Sequence, residues 1–493
     1  MAVYLSFDIG TTALKTALIS EDGRVIALHA AEYSPTSPAA GWMEMNPEVY
    51  WESAARGVRA VFERSGKGKS ELAAIGFSSQ GQTFLPIDRS AAPLHDAIVW
   101  VDNRAQGIAD AWNRDWLSRE QFRRISGYPY IPGCLTVFKI AWLAANRPEL
   151  MDADKFVCLP DYLIRRMTGE VVTDRITALM TGMFDLGSGR WHPRLVEAAG
   201  IREEQLPKVT EPGSVAGMLS AEAAAELGLP AGVPVCVGAN DQIAAAIGAG
   251  NVREGIATET TGAALAVVST TDELLDDDTV CVGRHVAMGK SYALSIGMTS
   301  AIVLKWFRDI CAPGQDYDDF LTGVDSVPIG CDGLTVLPHF AGSGTPTFNP
   351  NARGAIAGLT LGHTRDHISR AIMESCACML RECLEPVLRH GTRIGSVRSL
   401  GGAANSDLWL QIKADLLGIP VERPACPEAS ALGAAMLAAV GTGRFDGVQQ
   451  ASEAWYRSSR VFEPDMKRHE DYKEVIGRYL TLYESLYGEQ RKE

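Results

Sequence analysis

The feature that most constrains the fold is an apolar stretch broken by a short polar turn, which the chain contains twice. The first copy, VYLSFDIGTTALKTALISEDGRVIALHA, covers residues 3–30. Its apolar runs Val3–Phe7 and Leu14–Ile19 predict two strands that form a hairpin around a tight turn at Asp8–Thr12. An Asp-Gly turn then predicts a third strand from Val25.

The second copy, EGIATETTGAALAVVST, covers residues 254–270 and again predicts a strand, a Gly/Thr turn and a strand. Between and after the copies, predicted strands alternate with helices, as in PEVYWESAARGVRAVFERSG followed by LAAIGFSSQG. This alternation indicates an α/β protein with largely parallel sheets. The repeated hairpin predicts two domains, residues 1–248 and 249–493, with a cleft between them. Residues 205–234, rich in Pro, Gly and Ala, are predicted to be a linker with one short helix.

Length and charge narrow the class of protein. A chain of 493 residues is too long for one hydrophobic core, so two or more domains are expected. No apolar run approaches the roughly 18 residues that span a bilayer, and no basic segment precedes the first strand, which argues against membrane insertion and secretion. The net charge of -14, without a Lys/Arg block, argues against nucleic-acid binding. Ten cysteines without a CxxC pair indicate thiols in a reducing, cytoplasmic compartment.

The turn at Asp8–Thr12 is a candidate phosphate-binding loop. Such a turn exposes several backbone N–H groups in one concavity, Gly10 permits close approach, and the hydroxyls of Thr11 and Thr12 add donors. A carboxylate next to phosphates needs a cation between them, so Asp8 is a candidate ligand, direct or through water, of nucleotide-bound Mg²⁺. The alternative is that Asp8 caps its own turn.

Two further segments carry candidate chemistry. GAND, residues 238–241, places Asp241 where a strand ends and a small-residue helix begins, and ligands bind at that edge of open parallel sheets. Asp241 could accept a proton from an attacking hydroxyl, or it could cap the helix. Gly401-Gly402 follows another strand, and its bare backbone could lie flat against an adenine ring or form a plain strand-to-helix turn.

Taken together, these segments resemble the FGGY family of carbohydrate kinases from about Tyr4 to Phe462. The segment GAIAGLTLGHTRDHISRAIMES matches the second family signature at every position. TVFKIAWLAAN is similar to the first, with Lys139 and Trp142 in place, but Cys134 stands where an aromatic residue, Met, Gly or Ser is usual. PHFAGSGTPTFNPNARG and EASALGAAMLAAVG also resemble family stretches.

The resemblance implies a fold and a set of site residues. It implies two RNase H-like domains of the actin/hexokinase/Hsp70 superfamily flanking a central cleft, with the sugar, the first phosphate loop and the catalytic base on the first and ATP mainly on the second, and with Mg²⁺ as the metal cofactor. It makes Asp241 the catalytic base and Asp8 the residue that steers the metal. The implied ATP and phosphate contacts are Gly10, Thr11, Thr12, Lys15, Thr260, Thr261, Gly262, Gly401, Gly402, Ala403 and Asn405. Glu259 departs from the family, which usually has glycine there.

The acceptor is less defined than the reaction. The resemblance implies that Gln80, Gly81, Gln82, Trp100, Asp102 and Asp241 contact a sugar or polyol. Xylulokinases usually have Met-His-Gly after the glutamine and glycerol kinases have Arg-Glu-Thr, whereas this chain has Gly81-Gln82-Thr83. A pentulose such as xylulose is the expected acceptor, and glycerol, erythritol, L-xylulose and ribulose stay open. The rival hypotheses are an ATPase switch of the same superfamily and a sugar-binding regulator without catalysis. Homodimers are common in this family.

Overall fold

The structure is a computed structural model that describes residues 2–488. The chain forms two compact units. The first contains the residues up to Val252 together with Val282–Ser291 and Glu428–Tyr456. The second contains Arg253–Cys281, Tyr292–Pro427 and the described chain from residue 457 onward.

The strands have the following bounds in chain order: β1 (Val3–Ile9), β2 (Ala13–Ser20), β3 (Val25–Glu32), β4 (Glu44–Met45), β5 (Leu72–Ser79), β6 (Phe84–Ile87), β7 (Ala97–Ile98), β8 (Lys155–Cys158), β9 (Val172–Asp174), β10 (Phe184–Asp185), β11 (Arg190–Trp191), β12 (Lys208–Thr210), β13 (Val215–Met218), β14 (Pro234–Cys236), β15 (Ala239–Asn240), β16 (Ile256–Thr261), β17 (Leu265–Thr271), β18 (Cys281–Arg284), β19 (Ser291–Gly297), β20 (Thr335–Leu337), β21 (Ala355–Ala357), β22 (Ser396–Leu400), β23 (Val421–Pro424) and β24 (Ser458–Phe462).

The helices have the following bounds: α1 (Pro47–Ser65), α2 (Gln106–Asp115), α3 (Arg119–Ser126), α4 (Thr136–Asn146), α5 (Leu159–Thr168), α6 (Arg175–Met180), α7 (Pro193–Ala198), α8 (Ala221–Leu227), α9 (Asp241–Gly248), α10 (Ala301–Cys311), α11 (Tyr317–Phe320), α12 (Arg365–Arg389), α13 (Asp407–Leu417), α14 (Ala429–Gly441), α15 (Val448–Trp455) and α16 (Met466–Tyr487). In the part of the chain that the structure describes, no helix combines the length and apolarity that crossing a membrane requires.

The main sheet of the first unit begins with the predicted hairpin. Its strands lie in the order β13, β14, β5, β1, β2, β3, and β15 pairs with the end of β5. Strand β1 pairs antiparallel with β2 and parallel with β5, while β2 pairs antiparallel with β3. The hairpin forms because Gly10 N–H donates to the carbonyl of Ala13 over 2.9 Å. The predicted antiparallel hairpin and the predicted parallel strand are both confirmed.

The second unit repeats this arrangement. Strands β19, β17, β16, β22, β23 and β24 are neighbours in that order, with β16 antiparallel to β17 and parallel to β22. The turn between β16 and β17 closes through Gly262 N–H, which donates to the Ala264 carbonyl over 3.0 Å. The expected α/β architecture, with one Gly/Thr hairpin in each RNase H-like unit, is therefore confirmed.

The first unit is completed by a helix from late in the sequence. Helix α14 packs on α9, β5 and β1. Close approach depends on glycine: a Cβ on Gly433 would lie 1.9 Å from the carbonyl oxygen of Ala244, and one on Gly76 would lie 2.4 Å from that of Ala434. Any side chain at these positions would push the elements apart.

The prediction of a linker at residues 205–234 was wrong, although the one short helix predicted there is present as α8. This segment contains β12, β13 and α8, and β13 pairs antiparallel with β14 at the edge of the main sheet. Its Pro, Gly and Ala residues serve tight turns and close packing, such as the left-handed Gly228 that ends α8. The division of function between residues 1–248 and 249–493 stays a prediction.

Candidate active site

Asp8 lies near the carboxyl end of β1 in the first sheet, and because Asp8 and Ile9 still pair with Lys15 and Leu14, the turn begins at Gly10 and not at Asp8 as predicted. Asp8 lies in register with Ser78 of β5, whose hydroxyl donates to the Asp8 carboxylate over 2.8 Å. Burial raises the pKa of Asp8 to about 6, against the lowering effects of the Ser78 hydrogen bond and the Lys15 ammonium. The backbone carbonyl of Gly10 accepts hydrogen bonds from Tyr33 and Gln80, which hold the turn in place.

Asp241 lies at the same edge of this sheet. It opens α9 directly after β15, and β15 pairs with Ser78 and Ser79 of β5. Burial raises the pKa of Asp241 to about 7, and the negative charge of Asp8 is the next largest cause. The structure therefore brings Asp8 and Asp241 close enough for their charges to interact.

The helix cap at α9 is supplied by the residue before Asp241. The side chain of Asn240 is the N-cap and accepts from the backbone N–H of Gln242 over 3.0 Å. Asp241 stands at the first helical position, where its carboxylate also accepts from Gln242 N–H over 2.8 Å. Because Asn240 already caps the helix, capping does not account for the carboxylate at position 241.

The predicted acceptor loop follows β5. Gln80 is buried, and its side-chain amide donates to the Gly10 carbonyl over 3.1 Å, so it supports the phosphate turn. Gln82 has a left-handed backbone with φ of 65°, which is strained for a residue other than glycine. Its carbonyl accepts from Thr136 and from the buried ammonium of Lys139, both over 3.1 Å. Its side-chain amide donates to the Tyr128 hydroxyl over 2.5 Å.

Trp100 and Asp102 occupy different environments. Trp100 is partly exposed, and its indole N–H donates to the hydroxyl of Thr11 over 2.8 Å, which connects the acceptor loop to the phosphate turn. Asp102 is fully buried. Its carboxylate accepts from Met43 N–H over 2.6 Å and from the Arg104 guanidinium over 2.7 Å. Acceptor hydroxyls could reach Asp102 only if these hydrogen bonds were broken.

Lys15, also a predicted phosphate contact, forms an ion pair of 2.6 Å with Glu428. Glu428 precedes α14 and, through its charge, contributes to raising the pKa of Asp8. Thr12 is exposed at the tip of the turn. Lys15 is thus already paired with one carboxylate, and its remaining ammonium donors are those that could reach a phosphate.

The predicted nucleotide loops meet in the second unit at a cavity of about 900 Å³. Its lining includes the predicted residues Thr261, Gly262, Gly402, Ala403 and Asn405. Gly401 is left-handed, with φ of 78°, and a Cβ there would lie 2.9 Å from the Thr261 carbonyl oxygen. A Cβ on Gly402 would meet nothing within 4 Å, so this backbone faces open space as a ring-binding loop requires.

The departure at Glu259 has a structural explanation. Glu259 is fully buried and pairs with the ammonium of Lys413, which is also fully buried, over 2.5 Å. The hydroxyl of Thr261 donates to Glu259 over 2.5 Å and accepts from Lys413 over 3.0 Å. The acid is neutralised inside the unit, and the Thr261 hydroxyl is occupied there. Thr260 is partly exposed, and its contact with phosphate stays a prediction.

Several side chains that line the cavity were not predicted. They come from three separate segments and comprise Tyr317, Asp318, Asp325, Asp407, Gln411, Arg460 and Arg468. The Arg308 guanidinium lies 4.2 Å from the Tyr317 ring centroid, and Asp407 pairs with Arg423 over 2.6 Å. None of these residues belongs to a motif with fixed spacing, so the sequence offered no signal for them.

The residues near Asp8 fit a divalent cation. Carboxylates are ligands that Mg²⁺ prefers, and the mutual repulsion of Asp8 and Asp241 would be relieved by a positive charge beside them. Among the described residues, no group of three or more His, Cys, Asp or Glu side chains is arranged to hold a metal ion alone. A cation here would therefore need further ligands such as nucleotide phosphates and water.

Comparisons with known proteins agree over nearly the whole chain. The family model described as the N-terminal domain of the FGGY family of carbohydrate kinases matches residues 3–248, and the C-terminal domain model matches residues 293–442. The xylulose kinase of Bacillus subtilis (strain 168) is 28% identical, over 98% of this chain and 97% of its own. A glycerol kinase of Thermococcus gammatolerans is 32% identical, over 97% of each.

A solved structure supports the same fold. The ligand-bound xylulose kinase of Lactobacillus acidophilus superposes with a TM-score of 0.91 at 25% identity, over 99% of this chain and 98% of its own. The relatives differ in the acceptor that their names state, xylulose in one group and glycerol in another. Similarity alone therefore leaves the acceptor of this chain undecided.

Proposed function

We propose, from the premise that this chain belongs to the FGGY family of carbohydrate kinases, that it transfers the γ-phosphoryl group of ATP to a terminal hydroxyl of a ketose. A pentulose such as xylulose is the proposed acceptor, supported by the likeness to xylulose kinases over the whole chain. The second candidate is a polyol such as glycerol, which the similarity to glycerol kinases favours. Erythritol is a further polyol candidate, and L-xylulose and ribulose are further pentulose candidates.

The observation that carries the proposal is Asp241, a partly buried carboxylate with a pKa of about 7 beside a second carboxylate. A general base works best when its pKa is near the working pH. Asp241 would accept the proton of the acceptor hydroxyl as its oxygen attacks phosphorus. Asp8 would hold Mg²⁺, which supplies positive charge to the phosphoryl oxygens when it is bound.

The remaining residues would position the reactants. We assign the phosphates to the two Gly/Thr turns that the Gly10 and Gly262 N–H groups close, and the adenosine to the cavity beside Gly402. Trp100 would contact the acceptor, while Asp102, whose oxygens are occupied by Arg104 and Met43, would fix the acceptor loop. Such positioning supplies much of the rate in phosphoryl transfer.

A panel of acceptors tests the function. ADP release would be measured with ATP and Mg²⁺ in the presence of xylulose, L-xylulose, ribulose, erythritol or glycerol, and without acceptor. Release that depends on a pentulose supports the proposal. Release without any acceptor would support an ATPase switch instead, and no release would support a non-catalytic regulator.

The variant Asp241→Asn provides the chemical control. It keeps the shape and the hydrogen bond to Gln242 but removes the base, so turnover should fall about 10²- to 10⁴-fold while ATP binding persists. Unchanged turnover would exclude Asp241 as the base.

We place the reaction in the cytoplasm, where ATP is available and where ten free thiols are stable. Assembly as a homodimer stays a prediction, which light scattering of the purified protein would check.

A further inference from the structure

Gly81 lies between Gln80 and the strained Gln82. Unlike Gln82, Gly81 does not have a left-handed backbone. The backbone therefore does not require glycine there. Instead, a Cβ on Gly81 would lie 3.0 Å from the sulfur of Met180 and 3.1 Å from the side-chain nitrogen of Asn240. The thioether of Met180 occupies the volume into which a side chain at position 81 would project.

Met180 is held firmly in that position. It is the last residue of α6 and only 5% exposed. The Asp174 side chain caps the start of α6 by accepting from two backbone N–H groups, over 2.8 and 2.9 Å. After the helix, the carbonyl of Thr181 accepts from Val137 N–H of α4 over 3.0 Å. Both ends of α6 are therefore anchored, so the backbone of Met180 is fixed and only its side chain can yield to a group at position 81.

The space around Met180 borders the proposed base. Helix α6 packs against β15, which ends at Asn240, and Asn240 caps the helix that begins with Asp241. On the other side of Gly81, Gln82 is fixed by Tyr128 and Lys139. The Met180 sulfur and the Asn240 side chain therefore both adjoin position 81, and Asn240 directly precedes the proposed base.

We propose that Met180 is a specificity-determining residue: its thioether forms an apolar wall against the carbon chain of the acceptor and limits the length of ketose or polyol that fits. Positions 81 and 180 share one volume, which has room for a bulky side chain from only one of them. We call this pair, Gly81 and Met180, the steric unit. This inference rests on the proposed kinase function and names the part of the first unit that selects the acceptor.

The experiment compares Met180→Ala with the wild type on glycerol, erythritol and xylulose. Removing the thioether lengthens the space, so the kcat/KM ratio of xylulose to glycerol should rise at least about tenfold, because single methylene differences give about 10- to 200-fold discrimination. Met183→Ala is the matched control, since Met183 is 1% exposed, lies on the same segment and packs in the core around α4 instead. Its ratio should stay within about twofold of the wild type.

A swap tests the steric unit directly. Gly81→Met alone should collide with Met180, lower kcat/KM at least about tenfold for every acceptor and lower the melting temperature. Adding Met180→Gly should restore at least about tenfold of kcat/KM and most of the melting temperature, a coupling that independent sites do not show.

The outcomes separate the two hypotheses. If the wild type phosphorylates acceptors but Met180→Ala leaves the ratio unchanged, the inference is overturned and the proposed function stands. A double variant no more stable and no more active than Gly81→Met also overturns the steric unit. A wild type that phosphorylates no acceptor overturns the proposed function and the specificity role with it.

Discussion

Asp241 combines two conditions that a proton acceptor needs, a raised pKa and a neighbour that raises it further. Burial and the charge of Asp8 bring its pKa to about 7. The base must be unprotonated, so kcat/KM for the acceptor should fall as the pH drops below about 7. Mg²⁺ beside Asp8 would neutralise the negative charge of Asp8, lower the pKa of Asp241 and so move the fall in kcat/KM to lower pH. Rates from pH 5 to 9, with acceptor far below KM, would check this.

The loss of activity in acid should not reflect unfolding. The pKa of Asp241 in the folded protein lies above its ordinary value of 3.8, so the folded state binds this proton more tightly. Protonation of Asp241 therefore stabilises the folded protein fully below pH 3.8, and this stabilisation is lost as the pH rises through about 7. Asp241→Asn should flatten this part of the stability profile. A melting temperature that falls in parallel with activity between pH 7 and 6 would contradict the assignment.

At the scale of residues, the sequence allowed us to predict which side chains lie in the site. It did not show which of them are already hydrogen-bonded to residues far away in the chain. The family resemblance implied that Asp8 and Asp241 act in one site, and both lie at the same edge of the first sheet because β1 and β15 pair with the same end of β5. The Met43 N–H that donates to Asp102 lies 59 residues away, and the Lys413 ammonium that donates to the Thr261 hydroxyl lies 152 residues away. No local pattern encodes such pairs.

At the scale of elements, one buried ion pair joins three parts of the second unit. Lys413 of α13 donates to Glu259 of β16 over 2.5 Å and to Ser399 of β22 over 3.3 Å. These two strands lead into the turn and the loop to which we assign phosphate and adenosine. The pair therefore fixes the position of both loops against one helix.

Lys413→Met should destabilise the protein by about 3–5 kcal/mol, because it leaves the Glu259 charge buried without a partner. The double variant Glu259→Met with Lys413→Met should unfold at higher urea than either single variant, since an apolar pair of similar volume removes both charges. Lys473→Met is the control: Lys473 is 58% exposed and pairs with Glu470, so it should change stability by about 0–1 kcal/mol. Additive single effects would argue against the pairing.

The helices and strands themselves were largely predictable, because their signals are local. The Gly/Thr hairpins, α1 and the strand leading to Asp241 appear where periodicity and turn residues indicated. The segment expected to be a linker shows the limit, since Pro and Gly signal turns but not whether the strands between them pair with a sheet. Pairing is a property of the whole unit.

At the scale of the molecule, the first unit is not continuous in sequence. Residues 428–456 return to it, and α14 covers α9, β5 and β1. The sequence marked residues 428–441 only as a stretch that resembles the family, and it predicted neither the helix nor the surface against which it packs. The contact is close because Gly248 and Gly433 lack side chains: a Cβ on Gly248 would lie 1.9 Å from the Ala429 carbonyl oxygen.

This contact predicts a strong and local effect of a single methyl group. Gly433→Ala should destabilise the first unit by at least about 1–3 kcal/mol, because the methyl group overpacks a backbone contact that cannot yield. Gly477→Ala in α16 is the matched control, since a Cβ there meets nothing within 4 Å, and alanine in a helix should stabilise by about 0.5–1 kcal/mol. Urea denaturation of both variants would check the opposite signs, and a stable Gly433→Ala would contradict the packing.

The discontinuity also predicts which fragment can fold. Residues 2–252 alone leave β5 and α9 without α14, so this fragment should not unfold cooperatively in urea. The returning segment ends near the start of the chain, because Trp455 donates to the Glu21 carbonyl over 3.0 Å and its ring lies 5.5 Å from that of Tyr4. A permuted fragment, residues 428–456 joined by a short Gly-Ser linker to residues 2–252, should therefore recover a cooperative transition. Carrying Gly433→Ala in that fragment should weaken the transition again, whereas equal cooperativity with and without residues 428–456 would show that α14 is dispensable to the first unit.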